Sequence, residues 1–555
     1  MKIVRILAFP GARIESFPSP RMFRFLTFAC LLLAVPVLGV LGSWLVLDAA
    51  GIEALSRQFH TVLPEYALSS LLLVLLVAVG VAIVGGATAA LVSLFDFPLR
   101  RFFEWALLLP LAMPAYVLAY AATDFLQYSG PLQTGLRALT GAQGALWPDV
   151  RSLWGASVLF VLCLYPYVYL LTRAALNERG VKLMEAARLL GAGTGRRIRA
   201  VALPLARPAI AAGVALALME TLADYGVGSY FGLQTFTTGI YKAWLVMNDR
   251  YGAAQLASLL LVVVAVLLKL EHQAQKRLRF ASARAHTTQG NEARPLRLCG
   301  ARAALAVAVC AAPVLLGFVL PVLVLLHLLW QEAAFGEAGL PLARFAQWSW
   351  TSFKLAGAGA LLATGVALAL AFALRLRPNR PLRWAARVVS LGYAVPGAVI
   401  AVGILLQVGW LQAQVPQAGT TALVTGTVFG LMYAYLVRFS SVALQSVEAG
   451  YARLPTAIDE TARMLGSSHR RLFAELHFPL LKRASFAALL LVFVDVMKEL
   501  PATLVLRPFN SDTLAVVAYQ LARDERLGEA ALPSLAIVLV GLIPVMLLSR
   551  AMRES

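Results

Sequence analysis

Glu185-Ala186-Ala187-Arg188-Leu189-Leu190-Gly191 recurs as Glu460-Thr461-Ala462-Arg463-Met464-Leu465-Gly466. In both copies Glu to Gly is 6 residues, and the step from Gly to Pro (Pro204, Pro479) is also the same. One constant offset relates every position of the two copies, carrying Glu185 to Glu460 and Arg196 to Arg471 alike. A polar, basic loop repeated at one offset in an apolar chain points to two similar membrane halves. Each half then carries one cytoplasmic docking element.

The surrounding composition agrees. Of 555 residues, 60% are hydrophobic and 14% charged. Runs of about 20 apolar residues recur throughout, which is the pattern of a polytopic membrane protein. A soluble domain needs more polar surface than this chain can supply. Cys30, Cys163 and Cys310 lie in apolar stretches and, with Cys299, show no ligand-like spacing. They read as small core hydrophobes. The first apolar run, Phe25 to Leu47, is long enough to cross a bilayer and too long for a signal-peptide core. An uncleaved first transmembrane helix is expected there.

Twelve spans are predicted, near 25–47, 66–93, 103–127, 152–172, 206–228, 252–270, 303–330, 353–374, 384–411, 419–437, 484–506 and 530–549. With the N-terminus inside, the cytoplasmic segments hold 37 of the 48 Lys and Arg residues. This asymmetry places both termini and both repeated loops in the cytoplasm. It also accounts for the net charge of +20, so no nucleic-acid partner is implied. The polar, basic stretch around His286 to Glu292 divides the chain. The predicted organisation is a first half over 1–272, a cytoplasmic linker over 273–300 and a second half over 301–555. Each half has six spans, and each loop follows the fourth.

Within the loop, Met184 to Leu190 reads as a short helix with Glu185 near its start, where a carboxylate is favoured. Gly191 permits a sharp turn. Thr194 to Ala202 reads as a second short helix, and Pro204 opens the next span. The second copy repeats this with Asp459/Glu460, Gly466, His469-Arg470-Arg471 and Pro479. A single such loop could be an amphipathic segment resting on lipid headgroups. Two copies at one spacing, each after a fourth span, argue for a docking element.

These residues resemble the EAA loop of ABC importer permeases: Glu-Ala-Ala, three residues, Gly, nine residues, Ile-x-Leu-Pro. The first copy differs only at Val201. The second differs at Thr461, Leu476 and Phe478. The resemblance implies an all-α membrane protein of the type I importer permease fold, with two homologous six-helix halves fused in one chain. It implies that Glu185, Ala186, Ala187, Gly191 and Pro204, and Glu460, Thr461, Ala462, Gly466 and Pro479, belong to two ATPase-coupling loops, 185–204 and 460–479. The implied partners are two copies of a cytoplasmic ABC ATPase, which bind ATP and Mg, and a periplasmic or secreted substrate-binding protein. The implied location is the bacterial inner membrane. No cofactor is expected on this chain.

Two other classes compete with this reading. The sequence has no Gly-x4-Gly-Lys-Ser/Thr, so the chain is not expected to hydrolyse ATP. An ion-driven secondary transporter also suits twelve spans, but has no need of paired docking loops. For the cargo, Met497-Lys498-Glu499-Leu500-Pro501-Ala502-Thr503 and Leu222-Ala223-Asp224-Tyr225-Gly226 resemble ferric-iron permeases. Thiamine and phosphonate-type permeases are the alternatives. Glu220 and Asp224 are four residues apart, as are Asp495 and Glu499, and the two pairs are related by the same offset as the loops. Spacing of four predicts one helix face for each pair. Intramembrane carboxylates face a cavity or a partner, and a hard cation prefers oxygen ligands. A weak cation path without a tight metal cage is one reading. Structural pairing with basic residues such as Lys498 is the other. Tyr165, Tyr167, Tyr433 and Tyr435 could add phenolic oxygens, although interfacial aromatics are more often anchors.

Overall fold

The computed structural model describes residues 20–45, 49–283, 296–336 and 339–554. The middle of the predicted linker, 284–295, lies outside the described residues, as do 1–19 and 555. The described chain is almost wholly helical, because an apolar segment in lipid must satisfy its backbone groups internally. The exception is a two-residue parallel pairing of Phe95–Asp96 with Leu296–Arg297.

Eight described helices are long and apolar enough to cross a membrane, among them Leu63–Leu94, Leu153–Asn177, Arg250–Gln275 and Leu342–Leu376. Two helix pairs are long and apolar enough only when taken together and are sharply bent, Arg24–Leu32 with Val35–Leu45 at 51° and Arg100–Ala112 with Ala115–Thr140 at 93°, the geometry of a broken span or a re-entrant loop. The predicted tenth and eleventh spans overlap the helices Phe429–Tyr451 and Phe478–Lys498, which are displaced from them by several residues. They carry more charge than a simple apolar span, including Arg438, Glu448, Lys482, Arg483, Asp495 and Lys498. Along Leu63–Leu94, Leu68, Leu72, Leu75, Val79 and Ile83 are exposed at helical spacing. A face of branched side chains that long is a lipid face.

Two compact units divide the chain, and neither is a contiguous half of the sequence. One comprises Val40–Trp350 with Ser511–Ser555, and the other Met1–Gly39 with Thr351–Asn510. In the first, Leu63–Leu94 packs on Leu153–Leu189, which packs on Leu203–Ala223. Gly213 makes the last contact possible: a Cβ there would sit 2.6 Å from the Val168 Cα. Close backbone approach through small residues is how helices associate in lipid. Within the same unit Leu320–Phe335 packs on Leu527–Glu554. In the other unit Phe429–Tyr451 packs on Phe478–Lys498, and Pro20–Leu32 on Arg380–Leu391.

Candidate functional site

The two repeated loops share one backbone turn. The Leu190 N–H donates to the Ala186 carbonyl at 3.1 Å, Gly191 to Arg188 at 2.9 Å and Ala192 to Ala187 at 3.0 Å. In the second copy Leu465 donates to Thr461 at 3.1 Å, Gly466 to Arg463 at 2.9 Å and Ser467 to Ala462 at 3.0 Å. This is a Schellman closure, in which the last helical carbonyls are satisfied by a residue in the left-handed region. Gly191 and Gly466 supply that residue with φ of 79° and 77°. The spacing from the third residue of the motif to the glycine is therefore the spacing the closure needs. At the turn Leu189 is 86% exposed and Met464 89%, and Leu190 and Leu465 beside them are exposed too, so each loop presents a pair of apolar side chains. Glu185, Ala186, Glu460 and Thr461 are exposed as well.

Each turn leads into a short helical segment and then a single wide π-helical turn, Ile198–Ala202 and Leu472–His477. Pro204 and Pro479 follow at the start of the helices Leu203–Ala223 and Phe478–Lys498. Proline lacks an N–H and crowds the carbonyl four residues back. That carbonyl belongs to Ala200 or Glu475, inside the wide turn, which relieves the clash.

The approach to the turn differs from the sequence expectation. No short helix begins near Met184. The helix Leu153–Leu189 runs unbroken for 37 residues, so Glu185 lies near its C-terminal end and gains nothing from an N-terminal dipole. The first copy has no proline between Pro166 and Pro204, and nothing stops the helix. In the second copy Phe429–Tyr451 ends, and Pro455 caps a new helix, Thr456–Met464.

A buried polar cluster, not anticipated from the sequence, surrounds that second helix. Asp459 is 5% exposed and accepts from Arg375 Nε at 2.6 Å. His477, 1% exposed, lies with Nε2 2.9 Å from the other carboxylate oxygen and Nδ1 3.2 Å from the Tyr451 hydroxyl. Arg375 also donates to the Leu454 carbonyl at 2.9 Å. Burial pushes the Asp459 carboxyl up, but the hydrogen bonds from Arg375 and His477 outweigh it and hold the group below its ordinary value. The positions equivalent to Asp459 and His477 in the first copy are Met184 and Ala202. Ala202 is buried with Leu94, Leu176 and Ala206 in an apolar cluster.

The predicted carboxylate pairs do not each lie along one helix. Leu203–Ala223 ends before Asp224, whose φ and ψ are −73° and 131°. Phe478–Lys498 ends before Glu499, at −69° and 118°. Each chain then restarts as a short helix, Gly226–Tyr230 or Pro501–Leu506. Asp224 accepts the Val227 N–H at 2.8 Å. Glu499, 6% exposed, accepts the N–H groups of Ala502 and Thr503, both at 2.9 Å, and the Thr503 hydroxyl at 2.6 Å. Arg438 Nη1 lies 3.8 Å from it. Room for this arrangement comes from Gly397, where a Cβ would meet Glu499 Oε1 at 2.7 Å. Glu220 and Asp495 are half-buried near the ends of their helices. The second acid of each pair thus closes a helix break by accepting the N–H groups that start the next short helix, Val227 for Asp224 and Ala502 with Thr503 for Glu499.

The four tyrosines are less suited to cargo. Tyr165 donates to the Leu107 carbonyl at 2.9 Å, Tyr433 to the Leu32 carbonyl at 2.5 Å, and Tyr435 shares a hydrogen bond of 2.8 Å with Thr503. The Tyr167 backbone carbonyl lies beside Gly213 at the helix contact. Among the described residues no three His, Cys, Asp or Glu side chains lie close enough to hold a metal ion.

Known proteins place this architecture. The chain is 26% identical over 498 residues to the Fe(3+)-transport system permease protein FbpB 2 of Haemophilus influenzae, covering 89% of this chain and 91% of that one. It is 27% identical over 206 residues to the molybdenum transport system permease protein ModB of Escherichia coli, 32% of this chain and 86% of the other. A putative 2-aminoethylphosphonate transport system permease protein, PhnV, of Salmonella typhimurium is 28% identical over 180 residues, 32% of this chain and 64% of that protein. Residues 82–279 and 363–553 each match the binding-protein-dependent transport system inner membrane component family, one match per repeated loop. By this double match over most of its length, the chain belongs to the family of binding-protein-dependent transport system inner membrane components.

Proposed function

We propose that this chain is the fused permease subunit of an importer for ferric iron. The Glu185–Pro204 and Glu460–Pro479 loops each dock one ATPase subunit, two in all, and these subunits bind ATP and Mg. A periplasmic binding protein delivers the cargo from the other side. The single observation that carries the coupling role is the duplicated Schellman turn with an exposed apolar residue at each apex. The iron reading is supported by the end-to-end likeness to a ferric-iron permease, where the molybdenum and phosphonate relatives match one third of the chain. Glu220, Asp224, Asp495 and Glu499 supply oxygen donors of the kind a hard cation prefers. The match to the phosphonate relative makes an oxyanion cargo the second reading.

The test is reconstitution with the cognate ATPase and binding protein in proteoliposomes. Ferric iron should enter in an ATP-dependent way, and 2-aminoethylphosphonate should not. The reverse result replaces the iron reading. Changing Asp224 and Glu499 together to Asn and Gln should slow iron entry at preserved assembly, and a normal rate would remove the acids from the path. For orientation, Cys299 is exposed and the other three cysteines are buried. An impermeant thiol reagent should leave Cys299 unlabelled in intact cells and label it after lysis, if the linker faces the cytoplasm.

A further inference from the structure

The helix before the first turn is continuous over 37 residues, and no proline follows Pro166 on the way to Leu189. Its direction at Leu189 is fixed by the same hydrogen-bond ladder that fixes it inside the membrane. The second coupling helix, Thr456–Met464, has only 9 residues and is separated from Phe429–Tyr451 by a turn. A helix that short does not hold itself together in water, let alone hold a direction. Something else must orient it.

The Asp459 cluster sits where that anchor is needed. One carboxylate joins three separate segments: Arg375, 84 residues earlier near the end of Leu342–Leu376, Asp459 itself, and His477, 18 residues later in the wide turn. Arg375 also reaches back to Leu454, in the turn that interrupts the helix. The Phe372 ring stands edge-on to His477 at 5.4 Å, closing the cluster on its apolar side. Burying a carboxylate is costly unless it is paired and hydrogen-bonded. Charge-assisted hydrogen bonds are directional where apolar contact is not. Met184 and Ala202, at the matching positions of the first copy, offer no such bonds, and none is needed where the helix is unbroken.

We propose that Asp459, held by Arg375 and His477, is a positioning residue for ATP-driven transport: it replaces helix continuity as the element that orients the second coupling helix. Force on the Met464 apex is then passed to Leu342–Leu376 and Phe478–Lys498 through this carboxylate. The proposal rests on the reading of both loops as ATPase docking sites, so its test has one arm that needs no ATPase.

Nitroxide labels are placed on Met464→Cys or Leu189→Cys, two exposed positions on matched turns, in full-length protein whose own cysteines are replaced. Asp459→Asn should mobilise the label at 464 and leave the label at 189 unchanged. With ATPase and binding protein added, the same variant should assemble normally and import at least threefold less cargo per ATP hydrolysed. His477→Gln, which keeps an N–H donor toward Asp459, should stay within twofold of the parent. An unchanged spectrum at 464, equal mobilisation at both positions, or an unchanged ratio of cargo to ATP would overturn the proposal. Should Asp459→Asn not assemble, Arg375→Lys takes its place. It keeps the charge but loses the forked contact to Asp459 and Leu454, and an immobile label at 464 would again overturn the idea. If no ATPase binds either loop, the label spectra still decide the positioning claim, and only the docking reading fails.

Discussion

The first repeated turn is carried by a continuous helix, and the second by a short helix tied down by a buried ion pair. Both end in the same three backbone hydrogen bonds at the same distances. Upstream, one is the tip of Leu153–Leu189 and the other the tip of Thr456–Met464, a segment cut off at Pro455. On the proposed docking role, the shared element is the closed turn, and the chain reaches it by a different physical route in each copy. A helix ladder is local and needs no partner. A carboxylate bridge is long-range and needs Arg375 and His477 in place together.

The largest effect should come from removing continuity where nothing replaces it. Asn177→Pro, inside Leu153–Leu189, deletes a ladder bond and costs about 3 kcal/mol. Import should fall at least tenfold, measured as ATP-dependent uptake. Pro455→Ala, in the copy that is already interrupted, should change uptake less than twofold. Equal losses in the two variants would break the comparison. Next in size are the turns themselves. Gly191→Val or Gly466→Val forces a β-branched residue into the left-handed region, at roughly 1–2 kcal/mol each. A Cβ added at either site would meet no atom within 4 Å beyond the adjoining chain, so backbone strain is the main penalty. With the double variant the partner ATPase should hydrolyse ATP without import, and normal import and hydrolysis together would remove the turns from coupling. The smallest effect is on acid stability. Asp459 sits below its ordinary value in the fold. Its stabilisation is present above the ordinary Asp range near 4 and is lost as pH falls through the lowered folded value. Thermal unfolding followed between pH 7 and 3 should show an acid-side loss that Asp459→Asn reduces. An identical profile in that variant would mean the bridge does not contribute.

The turns were legible because everything that makes them is local. Three carbonyls, one glycine and a following proline all fall between Glu185 and Pro204, and again between Glu460 and Pro479. The direction of the turns was not legible. Glu185 reads as a helix start from the motif alone, yet the helix arrives from Leu153, since no proline or cap residue stops it. The Arg375–Asp459 contact spans 84 residues, and no local period announces such a pair. Spacing of four placed Asp224 and Glu499 on a helix face with Glu220 and Asp495. The helices end one residue sooner, before Gly226 and Pro501, which restart the chain in a new direction. The spans themselves followed from apolar length, except where Arg438, Lys482 and Asp495 interrupt the apolar character of the tenth and eleventh.

The division into compact units sets a timetable for biogenesis. The unit built on Val40–Trp350 also contains Ser511–Ser555, so it stays open while the ribosome adds residues 351–510. At about 5–20 residues per second that interval is roughly 8–32 s. The described stretch before Gly39 waits longer still for Thr351–Asn510. Helices in the bilayer would spend that time with packing faces uncovered, open to wrong neighbours and to quality-control proteases. Severing the chain at the linker would leave two fragments, each lacking part of its own unit.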